Sequence, residues 1–301
     1  MEKYDFELDK VSETILRIDP SGRRTASVLR RTLDQLYDGL HTGRYRWDQL
    51  HKTEKTHCGT LVEINLHREF GFEDGTKLDY QIARIDVDCK YSQSLFGWMI
   101  PPETLGHLCI VVSADDEESK WHLGLVRIEE AILTKGGNRD AKRSITASGR
   151  SNIRWIFKDA PLPPNILLHL PRSQVDTIMK LKTGQDRVNE IFRVAQRMKI
   201  SRSVIATLAQ QEDYMKRVRG NGGARSHLKP EGIIVLGHFQ QHQKIARDLG
   251  IPVPDSGELI SVRLAPTTND GPGTVALGGR SWRVAVDSDP TWEAPDYQHI
   301  T

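Results

Sequence analysis

In the run Leu78-Asp-Tyr-Gln-Ile-Ala-Arg-Ile-Asp-Val-Asp-Cys-Lys90, the second half alternates between apolar and charged residues. Ile85, Val87 and Cys89 would fall on one face of a strand, and Arg84, Asp86, Asp88 and Lys90 on the other. A carboxylate and an amine two positions apart therefore stand side by side. Asp79, nine residues before Asp88, lies on what the pattern makes the preceding strand of a hairpin, so the set reads Asp79…Asp88-x-Lys90. Such a set suits hydrolysis of an unactivated phosphodiester. Two carboxylates can hold a hard divalent ion, Mg²⁺ by preference, and leave positions for water and a phosphate oxygen. The ion would act as a Lewis acid and lower the pKa of a bound water. Lys90 would orient or help deprotonate that water, or balance charge building on phosphorus. Asp86 shares the face but does not stand two before the lysine, and its part in the set is open. A D-x-K pattern is also common on plainly solvated strands. What adds weight is the apolar opposite face, together with Asp79 and a fourth carboxylate, Glu63. Glu63 has two readings, because Thr60-Leu-Val-Glu63, with Val62, Leu66 and Phe70 following at fourfold spacing, is also a capping box opening an amphipathic helix.

Other chemistries find less support. Cys89 faces away from Asp88 and Lys90 and reads as core. His57 and Cys58 are adjacent, and adjacent side chains rarely face each other. His238 and His242 have the spacing of zinc-protease ligands, but Phe239 stands where such a site needs a glutamate. No phosphate-loop or dinucleotide fingerprint occurs. The three cysteines, Cys58, Cys89 and Cys109, cannot all pair and contain no C-x-x-C element, which points to a reducing, cytoplasmic setting. Met1-Glu-Lys-Tyr-Asp-Phe6 lacks the layout of a secretory signal, and no run approaches the ~18 apolar residues of a membrane span.

The elements that must position these residues follow from periodicity. Residues 23–51 read as helix, turn, helix; a helix is expected near 60–70, strands near 77–91, a buried strand at 107–114 and another near 121–128, and a basic segment runs on to 158. Mixed elements without a repeated βαβ rhythm suggest an α/β (α+β) domain with a mixed sheet. Three prolines in Lys158-Asp-Ala-Pro-Leu-Pro-Pro-Asn165 mark a linker, dividing the chain at 1–162 and 163–301. Beyond it, Val188, Ile191, Val194 or Ala195, and Met198 recur at helical spacing over 185–198. Lys199-Ile-Ser201 makes a short turn, and Ser201 or Ser203 can cap a second helix that buries Val204, Ile205, Leu208 and Ala209. The run Gly232-Ile-Ile-Val-Leu-Gly237 supplies a strand behind them. Two short helices and a three-residue turn have helix-turn-helix dimensions, with the second as recognition helix, and the strand makes the set resemble a winged helix. Charge agrees with this. The net +2 of the 301 residues conceals a segregation, because residues 171–230 hold 13 Lys and Arg against 5 Asp and Glu, whereas 231–301 hold 5 against 9. A basic stretch in a near-neutral chain is a candidate polyanion surface. Within it, Gly220-Asn-Gly-Gly223 is flanked by Lys216, Arg217, Arg219 and Arg225, where glycines admit a phosphate and the cations hold it. Residues 281–301 look like a loosely ordered acidic tail.

Taken together, these residues resemble one known family, the NaeI-like restriction endonucleases. The resemblance is carried by Thr32-Leu-Asp-Gln-Leu-Tyr-Asp-Gly39, by Thr42 through Phe70, by Asp79 and Val87-Asp-Cys-Lys90, and in the second part by Met215-Lys-Arg-Val-Arg-Gly220, Gly223-Ala-Arg-Ser226 and Pro230-Glu-Gly-Ile-Ile234. It implies a PD-(D/E)xK nuclease domain followed by a winged-helix-like DNA-binding domain. It also implies a Mg²⁺-dependent type II deoxyribonuclease that cuts double-stranded DNA at a short palindrome, GCCGGC, as a homodimer with a second DNA copy bound as effector. By the same resemblance, Glu63, Asp79 and Asp88 are metal-site acids, Lys90 is the catalytic lysine, and a DNA methyltransferase is the genetic partner. Leu78 stands where the wider superfamily has a proline before the first acid. In the ligase-like segment Leu36-Tyr-Asp-Gly39, Leu36 has no amine, so a covalent lysyl-nucleotide cannot form there. The alternative is a non-catalytic winged-helix DNA-binding regulator.

Overall fold

The computed structural model describes residues 4–297. Two compact units emerge: one holds the residues up to Leu36 together with Arg46–Pro164, the other Tyr37–Tyr45 and the chain from Asn165 onward.

The elements of the first part are α1 (Phe6–Ile18), α2 (Arg23–Tyr37), α3 (Gly39–Thr42), which belongs to the second unit, α4 (Lys52–Phe70), β1 (Glu73–Asp74), β2 (Tyr80–Ile82), β3 (Ile85–Ser92), β4 (Leu108–Asp115), β5 (Lys120–Arg127) and β6 (Arg154–Pro161). The six strands form one sheet in sequence order. Every pair is antiparallel except β3 with β4, which the chain reaches through the long connection 93–107, as a parallel neighbour requires. Strand β4 is buried along Leu108–Ala114, the pattern of a strand covered on both faces. The two-residue link between β2 and β3, Ala83-Arg84, has both residues in the left-handed region (φ 53 and 66), as the hairpin twist demands.

Helix α4 begins eight residues earlier than the pattern near 60–70 indicates. Its capping box is at His51, whose amide donates to Glu54 Oε2 (2.8 Å). Thr60 and Glu63 are therefore interior to the helix, and the capping reading of Glu63 is overturned. Helix α1, whose cap Asp5 accepts the amide of Leu8 (3.0 Å), went unread, as did β6. The second helix expected before position 51 shrinks to α3 and one 3-10 turn at Trp47–Gln49.

The second unit continues with α5 (Ile166–His169), α6 (Arg172–Lys180), α7 (Gly184–Val194), β7 (Ile200–Ser201), α8 (Arg202–Ala209), α9 (Ala224–His227), β8 (Ile233–Leu236), α10 (Gln240–Asp248), β9 (Glu258–Thr267), β10 (Thr274–Leu277) and β11 (Arg280–Val284). The long β9 is the centre of its sheet: β8 lies along one edge, β7 and then β11 along the other, and β10 beyond β11. Helix α7 stops at Val194 instead of 198, because Arg197 turns into the left-handed region (φ 62) and its amide donates to Ser261 O (2.7 Å). Ser201, not Ser203, caps α8 by accepting the amide of Val204 (3.3 Å).

The acidic C-terminal stretch is not loose. Trp282, Ala294 and Tyr297 are buried, and Arg283 forks onto Asp289 (2.6 and 2.7 Å). The Tyr297 hydroxyl accepts the amide of Val235 (2.9 Å) and donates to its carbonyl (3.0 Å). Its last positions, 298–301, and residues 1–3 lie outside the described residues. Among the described residues no helix is long and apolar enough to cross a membrane.

Candidate active site

The β2–β3 pairing sets the geometry of the first candidate site. Tyr80 pairs with Val87 and Gln81 with Asp86, so one step further the same register brings Asp79 opposite Asp88. Lys90 reaches back between them. Its Nζ donates to Asp88 Oδ1 (2.6 Å), to Asp79 Oδ2 (3.2 Å) and to the carbonyl of Cys89 (2.9 Å), which uses all three of its protons. The amide of Cys89 holds Asp79 Oδ2 from the other side (2.8 Å).

Asp88 is 3% exposed. Its second oxygen accepts the hydroxyl of Thr104 (2.8 Å), a fully buried residue on the connection that makes the parallel crossover. Thr104 lies outside the set that the sequence points to, and nothing local signals it. Burial pushes the Asp88 carboxyl up to about 6, and the adjoining Asp79 adds to this against the pull of Lys90. Burial works against the Lys90 charge too, but Asp88 and then Asp79 outweigh it and hold the amine above its ordinary range. Lys90 is thus an ammonium clamped between the two carboxylates.

Glu63 comes from α4, which packs on β3 and is pinned by the Tyr80 hydroxyl donating to the Glu63 carbonyl (2.7 Å). Burial raises the Glu63 carboxyl above its usual range, and the negative Asp79 raises it further. Its charge thus shares one electrostatic environment with Asp79, Asp88 and Lys90. Asp86 does not join them. Both its oxygens are taken by the amides of Thr76 (3.1 Å) and Lys77 (3.0 Å), which outweigh burial and keep its carboxyl low.

Among the described residues no three His, Cys, Asp or Glu side chains stand together as a metal cage. The donor set nonetheless fits a hard cation. Mg²⁺ commonly takes only one or two carboxylates and completes its shell with water and phosphate oxygens. Two opposed carboxylates, Asp79 and Asp88, supply oxygen ligands of the kind such an ion takes. The cysteines offer no nucleophile: all three are buried and free, and burial pushes the Cys58 and Cys89 thiols up to about 12.

In the second unit, α8 is buried along Val204–Ala209, packed against α3 and α7, so it cannot be the helix that enters a groove. The cations of the glycine loop lie after it. Lys216 and Arg217 sit on the 3-10 turn Tyr214–Val218, Arg219 follows, and Arg225 is on α9. Lys216 and Arg219 are exposed, Arg219 with only a long contact to Asp213 (3.4 Å). Arg217 and Arg225 are half-buried: Arg217 Nε donates to Gln211 (2.8 Å) and Arg225 Nε to the Val235 carbonyl (2.9 Å). Much of the remaining positive charge is spent internally, as where Arg193 pairs with Glu190 and Glu231 and Lys199 with Asp255 and Glu258. His242 is buried and accepts the Gly237 amide at Nδ1 (3.1 Å), a structural role and not that of a zinc ligand.

Comparison with known proteins bears on both units. The model of a family described as restriction endonuclease NaeI matches residues 9–293. The chain is also 52% identical over 299 residues to the type II restriction enzyme NaeI of Lentzea aerocolonigenes, covering 97% of this chain and 94% of that protein.

Proposed function

The chain belongs to the NaeI family of restriction endonucleases, and on that premise we propose that it is a type II site-specific deoxyribonuclease acting on double-stranded DNA. The observation that carries this reading is the opposition of Asp79 and Asp88 across a hairpin with Lys90 between them. Asp79 and Asp88 would hold Mg²⁺, with Glu63 facing the same charge, in a PD-(D/E)xK-type site. Bound there, the ion would supply a Lewis acid for a phosphate oxygen and a more acidic water. The residues have separable tasks. Thr104 and the Cys89 amide fix the rotamers of Asp88 and Asp79. Lys90 would orient the attacking water or balance the negative charge that builds on the phosphate. Glu63, whose carboxyl is raised by burial and by Asp79, would complete the acidic set around the ion.

In the second unit, the order α7, β7, α8, a further helical segment, β8 and β9, with β7 and β8 on opposite edges of β9, supports a winged-helix reading in which α10 takes the place of the first wing. In that order the groove-facing segment is 214–227, which carries Lys216, Arg217, Arg219 and Arg225. We assign it the effector copy of DNA, coupled to cutting as one site is to another. The domains would divide near 162, the target would be GCCGGC, and a homodimer would match the twofold symmetry of a palindrome. A cytoplasmic setting with a cognate methyltransferase completes the reading.

The test is incubation of purified protein with phage DNA and Mg²⁺ followed by sequencing of the ends. Discrete ends at one palindrome are expected, and Lys90→Ala should abolish cutting while DNA binding persists. If Lys90→Ala left every behaviour unchanged, the chain would be a DNA-binding regulator instead.

A further inference from the structure

Between β5 and β6 the chain leaves the sheet as an arm. Leu133 and Ile145 face each other in an antiparallel bridge, and the amides of Thr134 and Asn138 donate to the carbonyls of Ser144 and Lys142 (both 2.9 Å). Residues 134–144 are therefore a cross-braced, two-legged projection. Asn138 closes the tip, its Oδ1 accepting the amides of Asp140 and Lys142 (both 3.0 Å), while Ala141 turns into the left-handed region (φ 57). Gly137 lies so close to the Ala141 backbone that a Cβ there would sit 3.0 Å from it. These bonds brace the backbone from which the arm's cations project.

Those cations are Lys135, Arg139 and Lys142. None has an ion-pair partner among the described residues, and Arg139 and Lys135 are exposed. Arg143, at the base, differs: it forks onto Glu130 (2.6 and 2.9 Å). Other arginines of the first unit do meet carboxylates, as at Arg127 with Asp5 and Glu7 and at Arg30 with Asp116. Three cations without an ion pair outnumber the arm's single acid, Asp140, and leave positive charge that a polyanion would complete.

The base of the arm leads to the candidate site. Arg143 and Ile100 exchange both backbone hydrogen bonds (2.8 and 2.9 Å), and four residues beyond Ile100 the Thr104 hydroxyl holds Asp88. Resting on the nuclease reading above, we propose that residues 134–144 are a DNA-contacting arm of the first unit, with Arg139 reading a base edge and Lys135 and Lys142 holding phosphates. An arm two chains wide has the width the major groove admits, and the guanidinium fork matches the paired acceptors of guanine, whereas lysine acts as a point charge.

The test compares full-length wild type with Arg139→Ala, Arg139→Lys and Lys142→Ala. Both kcat/KM with Mg²⁺ and Kd with Ca²⁺ are measured on a GCCGGC duplex, or the site that end sequencing identifies, and on duplexes with one base pair changed. Arg139→Ala should lower discrimination between them roughly tenfold to a hundredfold. Arg139→Lys should lose the same discrimination but keep the salt dependence. Lys142→Ala should weaken all duplexes alike and flatten the log–log salt slope by about one. Wild-type discrimination in Arg139→Ala, on both readouts, overturns the arm while leaving the nuclease standing. Loss of binding discrimination in that variant, with a wild type that cuts nothing, upholds the arm and removes the nuclease.

Discussion

Replacing Thr104 by Val removes one hydroxyl at nearly constant volume, and its consequence can be worked from the surroundings of Asp88. Oδ1 of that carboxylate has Lys90 at 2.6 Å, while Oδ2 has the Thr104 hydroxyl at 2.8 Å and otherwise only the Cys109 thiol at 3.9 Å. With Asp88 3% exposed, water cannot replace the lost donor. A hydrogen bond to a charged group contributes about 1.5–3 kcal/mol, so Thr104→Val should destabilise the β3–β4 region by about 2 kcal/mol. Native-state amide hydrogen exchange of β3 and β4 reads that region apart from the second unit. A double-mutant cycle then isolates the contact: in an Asp88→Ala background the same substitution should cost almost nothing. Cleavage should fall in kcat with KM little changed, because the carboxylate loses its orientation and DNA loses no contact. A coupling energy below about 0.5 kcal/mol would refute the claim that Thr104 positions Asp88.

Replacing Ala83-Arg84 by Asn-Gly should raise the stability of the first unit by about 1–2 kcal/mol, seen as a higher unfolding midpoint, since both residues now sit at positive φ; an unchanged midpoint would count against that strain. Burial, then the charges of Arg225 and His238, depress His242 to about 4, so the folded second unit resists a proton that the unfolded chain accepts near 6.5. Stability should therefore be full above pH 6.5 and decline as pH falls toward 4, by at most about 3 kcal/mol, and an NMR titration placing His242 near 6.5 would contradict this. Tyr297→Phe strips the Val235 amide of its buried partner and should cost about 1–3 kcal/mol in the second unit by denaturant titration, whereas a free tail would feel nothing. Charge reversal at Lys216 and Arg219 should abolish stimulation by added DNA and leave basal cutting intact; retained stimulation would move the effector site elsewhere.

The hairpin of Asp79 and Lys90 was legible because its causes are local. Period-two alternation places Asp88 and Lys90 together, and a short link forces β2 back along β3, so Asp79 must return to Asp88. The Ser201 cap and the apolar run of β4 are likewise written in neighbouring residues. Tertiary packing decided the rest. Asp86 and Asp88 have the same face and the same chemistry in sequence, yet one is stapled to the Thr76 and Lys77 amides while the other is buried beneath Thr104, because only the parallel pairing of β3 with β4 brings that crossover against it. Glu63 read equally well as a cap until the helix was seen to begin at Lys52. Helix α8 carries a pattern fit for an amphipathic recognition helix, but neighbours from distant parts of the chain cover its remaining faces. Acidity marked the C-terminal stretch as loose, yet Tyr297 is buried against Val235, 62 residues away in the chain. Periodicity specifies which side of an element is apolar; which polar groups lose their water depends on what lands on them, and that is set by contacts between residues far apart in the chain.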